Sequence, residues 1–160
     1  MRPEAPYFAQ SRTNARGEAA QILGRAAHGT MAPEPTIFLV DDDPAVRDSL
    51  KVSLEAHGYS VSDFASGQDF LHSYAGGPRH CLVLDVHMPV VSGIEVLEHL
   101  AAQRRAPPTV MITGLNDVGT RHRALAAGAF AVLEKPFDAS QLIITMRSAM
   151  NAAGSGAANH

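Results

Sequence analysis

The chain has 160 residues, of which 46% are hydrophobic and 18% charged, and its formal net charge is −3. This length allows one domain with tails, and the composition is that of a globular protein with a sizeable core. The negative charge disfavours nucleic-acid binding through phosphate contacts, and no apolar stretch approaches the ~20 residues that cross a membrane.

Three segments follow from the composition along the chain. Residues 1–35, rich in Ala, Arg, Gly and Pro, are predicted to be a mostly disordered N-terminal extension. Residues 36–150 carry the periodic apolar pattern of a folded domain, and residues 151–160 are predicted to be a flexible tail. The single cysteine, Cys81, and the lack of a secretory signal favour a cytoplasmic protein.

The first half of the domain alternates apolar runs with helix-start signals. Residues 36–40 are predicted to form the first strand, and residues 59–64 the second. Between them, Asp43 followed by Pro44 is typical of a helix start, because aspartate caps the helix and proline fits its first turn. The helix ends at Gly58.

The pattern continues with a second helix that begins at Ser66 and a third strand over residues 81–84. Ser92 stands three residues before Glu95, which is the signature of a capping box at the start of a third helix. Residues 109–112 are predicted to form the fourth strand.

A fourth helix is predicted over residues 118–127, a fifth strand with a core Phe130 over 129–133, and a last helix capped by Asp138. The strands are continuous apolar runs, which suit a sheet that is buried on both faces. Five β/α units therefore predict an α/β fold, with a five-stranded, doubly wound parallel sheet and helices on both sides.

Polar residues stand at the carboxyl ends of four predicted strands. They are Asp41 and Asp42 after the first strand, Asp85 after the third, Thr113 after the fourth and Lys135 after the fifth. In open α/β sheets, ligands bind outside the carboxyl ends of the strands. We therefore expect these side chains to form one site.

The composition of this site predicts its chemistry. Three crowded carboxylates raise one another's pKa, and a divalent cation removes that cost. Oxygen ligands with open positions suit Mg²⁺. A hydroxyl and an ammonium group suit a tetrahedral anion, and a carboxylate can serve as nucleophile. The set is that of phosphoryl transfer.

Residues 36–150 resemble the receiver domain of bacterial response regulators, and especially receivers that usually precede a LuxR-type helix-turn-helix domain. The matching motifs are Val40-Asp41-Asp42-Asp43 with Arg47, Leu84-Asp85-Val86-His87-Met88-Pro89 with Ser92-Gly93, Met111-Ile112-Thr113-Gly114, Ala127-Gly128-Ala129, and Leu133-Glu134-Lys135-Pro136-Phe137. The resemblance implies a flavodoxin-like sheet with strand order 2-1-3-4-5.

The resemblance also implies roles for the acidic residues. Asp85 would accept the phosphoryl group. Asp42, Asp85 and the backbone carbonyl of His87 would bind Mg²⁺ directly, and Asp41 would bind it through a water molecule.

The remaining site residues would face the phosphoryl group. Thr113, Lys135 and the backbone N–H of Gly114 would bind its oxygens, and the bond between Lys135 and Pro136 is cis in such proteins. Leu115, at the mouth of the site, is expected to restrict the attack of water.

One position departs from the family pattern. The residue three before the lysine is often aromatic and couples the site to the surface, whereas this chain has Val132. Ordinary strand packing is one interpretation of this valine. The other is that the switch uses smaller movements or a different contact.

The resemblance implies a signalling domain, not an enzyme, although it assists its own phosphorylation and dephosphorylation. Its partners would be a sensor histidine kinase or phosphotransfer protein and a downstream protein, with a possible homodimer through residues 118–150. Because the chain ends soon after the last predicted helix, we expect no DNA-binding domain of its own, and no direct contact with nucleic acid or membrane.

Two alternatives remain. The first is a protein-binding module that keeps the receiver fold but is not phosphorylated. The second is a haloacid-dehalogenase-type phosphatase that uses Asp41, since such enzymes carry an Asp-x-Asp motif after the first strand. This second alternative leaves Asp85 without a role.

Overall fold

The computed structural model describes residues 35–114 and 117–158. The extension predicted for residues 1–35 lies outside the described residues apart from Pro35, and Leu115 lies outside them as well. Within the described part of the chain, strands and helices alternate without exception.

Five strands and five helices occur in the described residues. The strands are β1 (Thr36–Val40), β2 (Ser60–Phe64), β3 (His80–Asp85), β4 (Thr109–Thr113) and β5 (Ala131–Glu134). The helices are α1 (Pro44–Ala56), α2 (Gly67–Ser73), α3 (Gly93–Ala102), α4 (Val118–Ala126) and α5 (Ala139–Ala158).

The strands form one parallel sheet in the order β2-β1-β3-β4-β5, which confirms the predicted order. The connection after β1 leads outward to β2, whereas the connections after β3 lead the other way, toward β4 and β5. The point where the direction reverses therefore lies between β1 and β3, and a crevice forms there at the carboxyl ends of the strands.

The core lies in two layers, one on each face of the sheet, because successive side chains of a strand point to opposite faces. Leu82 and Leu84 pack in the layer formed with α2, α3 and α4. Cys81 and Val83 pack in the layer formed with α1 and α5. Helices on both faces confirm the predicted doubly wound fold.

The helix starts are local features that the sequence encodes directly. The Asp43 side chain caps α1 by accepting hydrogen bonds from the backbone N–H groups of Ala45 and Val46, at 3.0 and 3.5 Å. In α3, Ser92 and Glu95 form the predicted capping box, with reciprocal bonds of 3.2 and 3.3 Å. These caps fix where the chain leaves the carboxyl edge of the sheet.

Helix α5 differs from the prediction at its C-terminal end. The described part of the segment predicted as a flexible tail, from Asn151 onward, continues the helix to Ala158. Extending an existing helix through alanines costs little, although Gly154 and Gly156 weaken it. Neither α5 nor any other helix among the described residues has the length and apolar character needed to span a membrane.

Strand β5 begins at Ala131, two residues later than predicted, and Phe130 is 44% exposed although it was predicted to lie in the core. The prediction for Phe130 was wrong because β5 is an edge strand. Among the described residues, no further strand covers Phe130, which precedes β5.

The loop between β3 and α3 contains a strained residue. Val90 has φ +69° and is 83% exposed. A β-branched side chain is unfavourable in this left-handed region, by about 1–2 kcal/mol. Val90→Asn is therefore expected to stabilise the protein by about 0.5–1 kcal/mol, because asparagine tolerates this conformation. Urea denaturation measures the difference.

The matched control is Val52→Asn, since Val52 is also exposed but lies in the right-handed helix α1. We expect no gain in stability from this variant, because asparagine is a poor residue for a helix interior. Equal effects of the two substitutions would contradict the assignment of strain to Val90.

Candidate functional site

Three aspartates meet at the carboxyl edge of the sheet, beside the crevice between β1 and β3. Asp41 directly follows β1, and Asp85 is the last residue of β3. These two side chains are buried, with exposed fractions of 1% and 5%, whereas Asp42 is exposed. One carboxylate oxygen from each of the three lies within 4.8 Å of the others.

The backbone and side chain of Asp41 are held on several sides. Its Oδ1 accepts the backbone N–H of Asp43 at 2.9 Å, and its own N–H donates to the carbonyl of Phe64 at 3.2 Å. Its carbonyl oxygen accepts a bond of 2.8 Å from Nη1 of Arg47. Its Oδ2 is buried and has no hydrogen-bond partner among the described residues.

Lys135 faces both buried carboxylates. Its Nζ lies 3.6 Å from Oδ2 of Asp41 and 3.8 Å from Oδ1 of Asp85, which are ion-pair distances longer than a good hydrogen bond. The backbone N–H of Lys135 donates to the carbonyl of Thr113 at 2.8 Å, and the bond between Lys135 and Pro136 is cis. One ammonium group thus balances only part of the negative charge of the three carboxylates.

The environment of Asp85 favours its protonated form. Burial raises the pKa of Asp85 to about 7, and the negative charges of Asp41 and Asp42 act in the same direction. The ammonium of Lys135 and a hydrogen bond from the backbone N–H of His87 oppose this shift. A carboxyl group that is only partly ionised at neutral pH marks this position as a candidate for chemistry.

The other predicted residues lie around this cluster. Thr113 is the last residue of β4 and is buried, and its strand pairs with β3 beside Asp85. Gly114 follows it on the exposed side, with open space at the position a Cβ would occupy. The side chain of His87 is exposed, as expected for a residue that would contribute its backbone carbonyl.

Val132 lies in the strand interior rather than in the site. It is 5% exposed and packs in the core layer of α2, α3 and α4. Its carbonyl oxygen accepts a hydrogen bond of 3.1 Å from Nη1 of Arg121, which is on α4. Position 132, where the family resemblance predicts an aromatic residue, is therefore linked to α4 by a hydrogen bond to its main-chain oxygen.

Two residues shape the site although the sequence indicated no role for them. A Cβ on Gly93 would lie 2.1 Å from the carbonyl oxygen of Asp85, so the first turn of α3 presses directly on the end of β3. Arg47 binds the carbonyl of Asp41. Both residues belong to the motifs quoted above, but only the three-dimensional contacts reveal what they do.

The acidic cluster fits a magnesium ion by its chemistry. Its donors are hard oxygen atoms, one of which, Oδ2 of Asp41, is buried without a hydrogen-bond partner among the described residues. Such an atom is costly unless a cation or water completes its contacts. Carboxylates together with waters are the ligands that Mg²⁺ prefers in proteins.

Fold and site together define a doubly wound α/β domain with an acidic pocket, a threonine and a lysine at its carboxyl edge. Residues 37–147 match the family model described as "Response regulator receiver domain". The chain belongs to this family, whose members are signalling domains of two-component systems.

Curated relatives and a solved structure agree with this assignment. The chain is 38% identical over 123 residues to the transcriptional regulatory protein FixJ of Bradyrhizobium diazoefficiens, covering 77% of this chain and 60% of FixJ. It is 35% identical over 119 residues to the C4-dicarboxylate transport transcriptional regulatory protein DctR of Rhodobacter capsulatus, covering 73% of this chain and 60% of DctR.

The crystal structure titled FixJ-N has a TM-score of 0.70 and 33% identity, and covers 75% of this chain and 96% of that one. The chain thus spans about 60% of the length of these two curated relatives. Its similarity to the FixJ-N structure, by contrast, extends over nearly that whole chain.

Proposed function

We propose that this domain is a phospho-accepting switch, in which Asp85 takes a phosphoryl group from a phosphohistidine of a sensor histidine kinase or phosphotransfer protein. The observation that carries the proposal is the position of Asp85. It is buried at the carboxyl end of the central strand, with Asp41, Asp42 and Lys135 around it. Among the three carboxylates, only Asp85 lies within a strand, and the neighbouring strand β4 ends at Thr113.

Mg²⁺ is the cofactor that fits this site. Asp42, Asp85 and the backbone carbonyl of His87 would hold it directly, and Asp41 through a water molecule. When bound, Mg²⁺ neutralises the carboxylates and the charge of the phosphoryl oxygens. The buried Oδ2 of Asp41 supports this set, since it has an unfilled acceptor position.

The residues of the chain supply the rest of the chemistry. A carboxylate oxygen of Asp85 forms a bond to phosphorus while the phosphorus–nitrogen bond to the donor histidine breaks, and the released imidazole takes up a proton. Lys135, the hydroxyl of Thr113 and the backbone N–H of Gly114 stabilise the three phosphoryl oxygens. The ammonium of Lys135 already lies in the pocket beside Asp85.

The output surface is proposed to lie between residues 118 and 150, where a downstream protein or a second copy of the chain would bind. Four large apolar side chains of this segment are exposed. They are Val118, Leu125, Phe130 and Ile144. Because the large exposed side chains of this segment are apolar, we propose that this surface binds protein rather than nucleic acid.

The test is the intact mass of the protein after incubation with acetyl phosphate and Mg²⁺. The wild type is expected to gain one phosphoryl group and Asp85→Asn none. Asp48→Asn, which removes an exposed carboxylate on α1, is the matched control and is expected to gain one group. No gain in a folded wild type would instead favour a binding module that is not phosphorylated. A gain that persists in Asp85→Asn would favour Asp41 as nucleophile.

A further inference from the structure

Arg47 joins two parts of the molecule that meet next to the acidic cluster. It lies on α1, and its side chain is 16% exposed. Its Nε donates to Oδ2 of Asp63 on β2 at 3.2 Å, and its Nη1 donates to the carbonyl oxygen of Asp41 at 2.8 Å. The guanidinium group thus connects the edge strand to the peptide that follows β1.

The partner of Arg47 on β2 is itself held in place. Oδ1 of Asp63 accepts a bond of 2.9 Å from Nζ of Lys51, one turn further along α1. This hydrogen bond is the largest of the effects that keep the pKa of Asp63 below its usual value, so the carboxylate stays ionised at neutral pH. Both oxygens of Asp63 are therefore engaged, and the position of Arg47 is fixed by an ionised partner.

The bond to Asp41 acts on the backbone of the site. The carbonyl of Asp41 belongs to the peptide group that links Asp41 to Asp42. With the N–H of Asp41 bound to Phe64 and its Oδ1 bound to the N–H of Asp43, the bond from Arg47 completes the support of this turn. Asp42 is exposed, so its carboxylate depends on this backbone for its position.

We propose that Arg47 is a positioning residue for the binding of Mg²⁺. Its guanidinium group, supported by Asp63, holds the Asp41–Asp42 peptide in the orientation that brings the three carboxylates together. This inference rests on the function proposed above. Hydrogen-bond partners outside a metal's own ligands typically change metal affinity by about 10–100-fold when they are removed. We expect Arg47→Met to weaken Mg²⁺ binding by about tenfold.

The direction of the change in Mg²⁺ affinity distinguishes a positioning role of Arg47 from a purely electrostatic effect of its charge. Removing a positive charge near three carboxylates would by itself strengthen the binding of a cation. Lys51→Met is the matched control, because it removes the same charge and the same kind of contact to Asp63 but no bond to Asp41. Its Mg²⁺ affinity is expected to equal or slightly exceed that of the wild type.

The experiment measures Mg²⁺ affinity by isothermal titration calorimetry for the wild type, Arg47→Met, Lys51→Met and Asp63→Asn. Asp63→Asn is expected to weaken binding, and the double variant with Arg47→Met is expected to be no weaker than Arg47→Met alone, since both residues act through one contact. Arg47→Lys keeps the charge but lacks the planar fork that reaches both partners, so it should also bind Mg²⁺ more weakly. This variant tests the proposal if Arg47→Met does not fold.

A second readout needs no metal. In EDTA, hydrogen exchange of the Asp43 amide, which is bound to Oδ1 of Asp41, is expected to be faster in Arg47→Met than in Lys51→Met. Equal Mg²⁺ affinities and equal exchange rates in these two variants would overturn the role of Arg47 and leave the phospho-accepting function standing. A wild-type chain that does not bind Mg²⁺ would overturn both.

Discussion

Asp85→Asn is expected to raise the free energy of unfolding of the metal-free protein by roughly 4 kcal/mol at about pH 8. Burial raises the pKa of Asp85 from 3.8 to about 7 in the folded chain, so ionisation of this carboxyl group opposes folding. Each unit of pKa difference corresponds to about 1.4 kcal/mol between the two protonation states. Asparagine removes the charge while retaining nearly the same shape.

The pH dependence has a definite sign. The folded chain binds the Asp85 proton more tightly than the unfolded chain does. The stabilising effect of this proton is therefore fully present below about pH 4 and is lost as the pH rises toward 7. The difference between Asp85→Asn and the wild type should consequently be small near pH 4, grow through this interval and stay constant above about pH 8.

The measurement is guanidinium chloride denaturation in EDTA, followed by circular dichroism because the chain contains no tryptophan. Asp63→Asn is an informative control with the opposite sign. The pKa of Asp63 is lowered, mainly by its hydrogen bond with Lys51, so its removal should destabilise the protein at neutral pH and matter less in acid. If Asp85→Asn is no more stable than the wild type at about pH 8, the claim that ionised Asp85 destabilises the folded protein is wrong.

Gly93→Ala is expected to destabilise the protein by about 3 kcal/mol or more. A methyl group at this position would lie 2.1 Å from the carbonyl oxygen of Asp85 and 2.9 Å from Cε of Met111. The methionine can move, but the oxygen belongs to a central strand whose hydrogen bonds hold it. Relief of the clash requires α3 to move away from β3. This movement would also disturb the hydrogen bond of 2.9 Å that the N–H of Gly93 donates to the carbonyl of Val86.

The same displacement would disturb Asp85, so phosphorylation by acetyl phosphate should slow in the fraction of the variant that remains folded. Chemical denaturation measures the loss of stability. The matched control is Gly154→Ala in α5, where a Cβ meets no atom within 4 Å. That variant should gain up to about 1 kcal/mol through helix propensity. Similar stabilities of the two variants would show that α3 accommodates the methyl group easily.

The elements that the sequence predicted well are those with local signals. Asp43 before Pro44 and Ser92 before Glu95 mark helix starts through bonds to their own neighbours, so no distant contact is needed to recognise them. Polar residues at strand ends could likewise be assigned to one edge, because parallel strands all end there. The strand order was expected only from the family resemblance.

The features that sequence reasoning missed depend on contacts between distant parts of the chain. Arg47 is recognisable as a motif residue, but its ion pair with Asp63 joins α1 to β2. Neither segment contains a sequence signal that predicts this pairing. The clash at Gly93 exists only because α3 returns to the end of β3. Composition alone did not predict that Phe130 would be exposed beside an edge strand. It also did not predict that α5 would continue beyond Asn151.

The bond between Arg121 and Val132 has a consequence for how freely this sequence can diverge. Arg121 binds the main-chain oxygen of residue 132, not its side chain. The connection between α4 and β5 is thus insensitive to which residue occupies that position, as long as it fits the core. Substitutions can accumulate at residue 132 without breaking the connection, whereas a change at Arg121 removes it in one step.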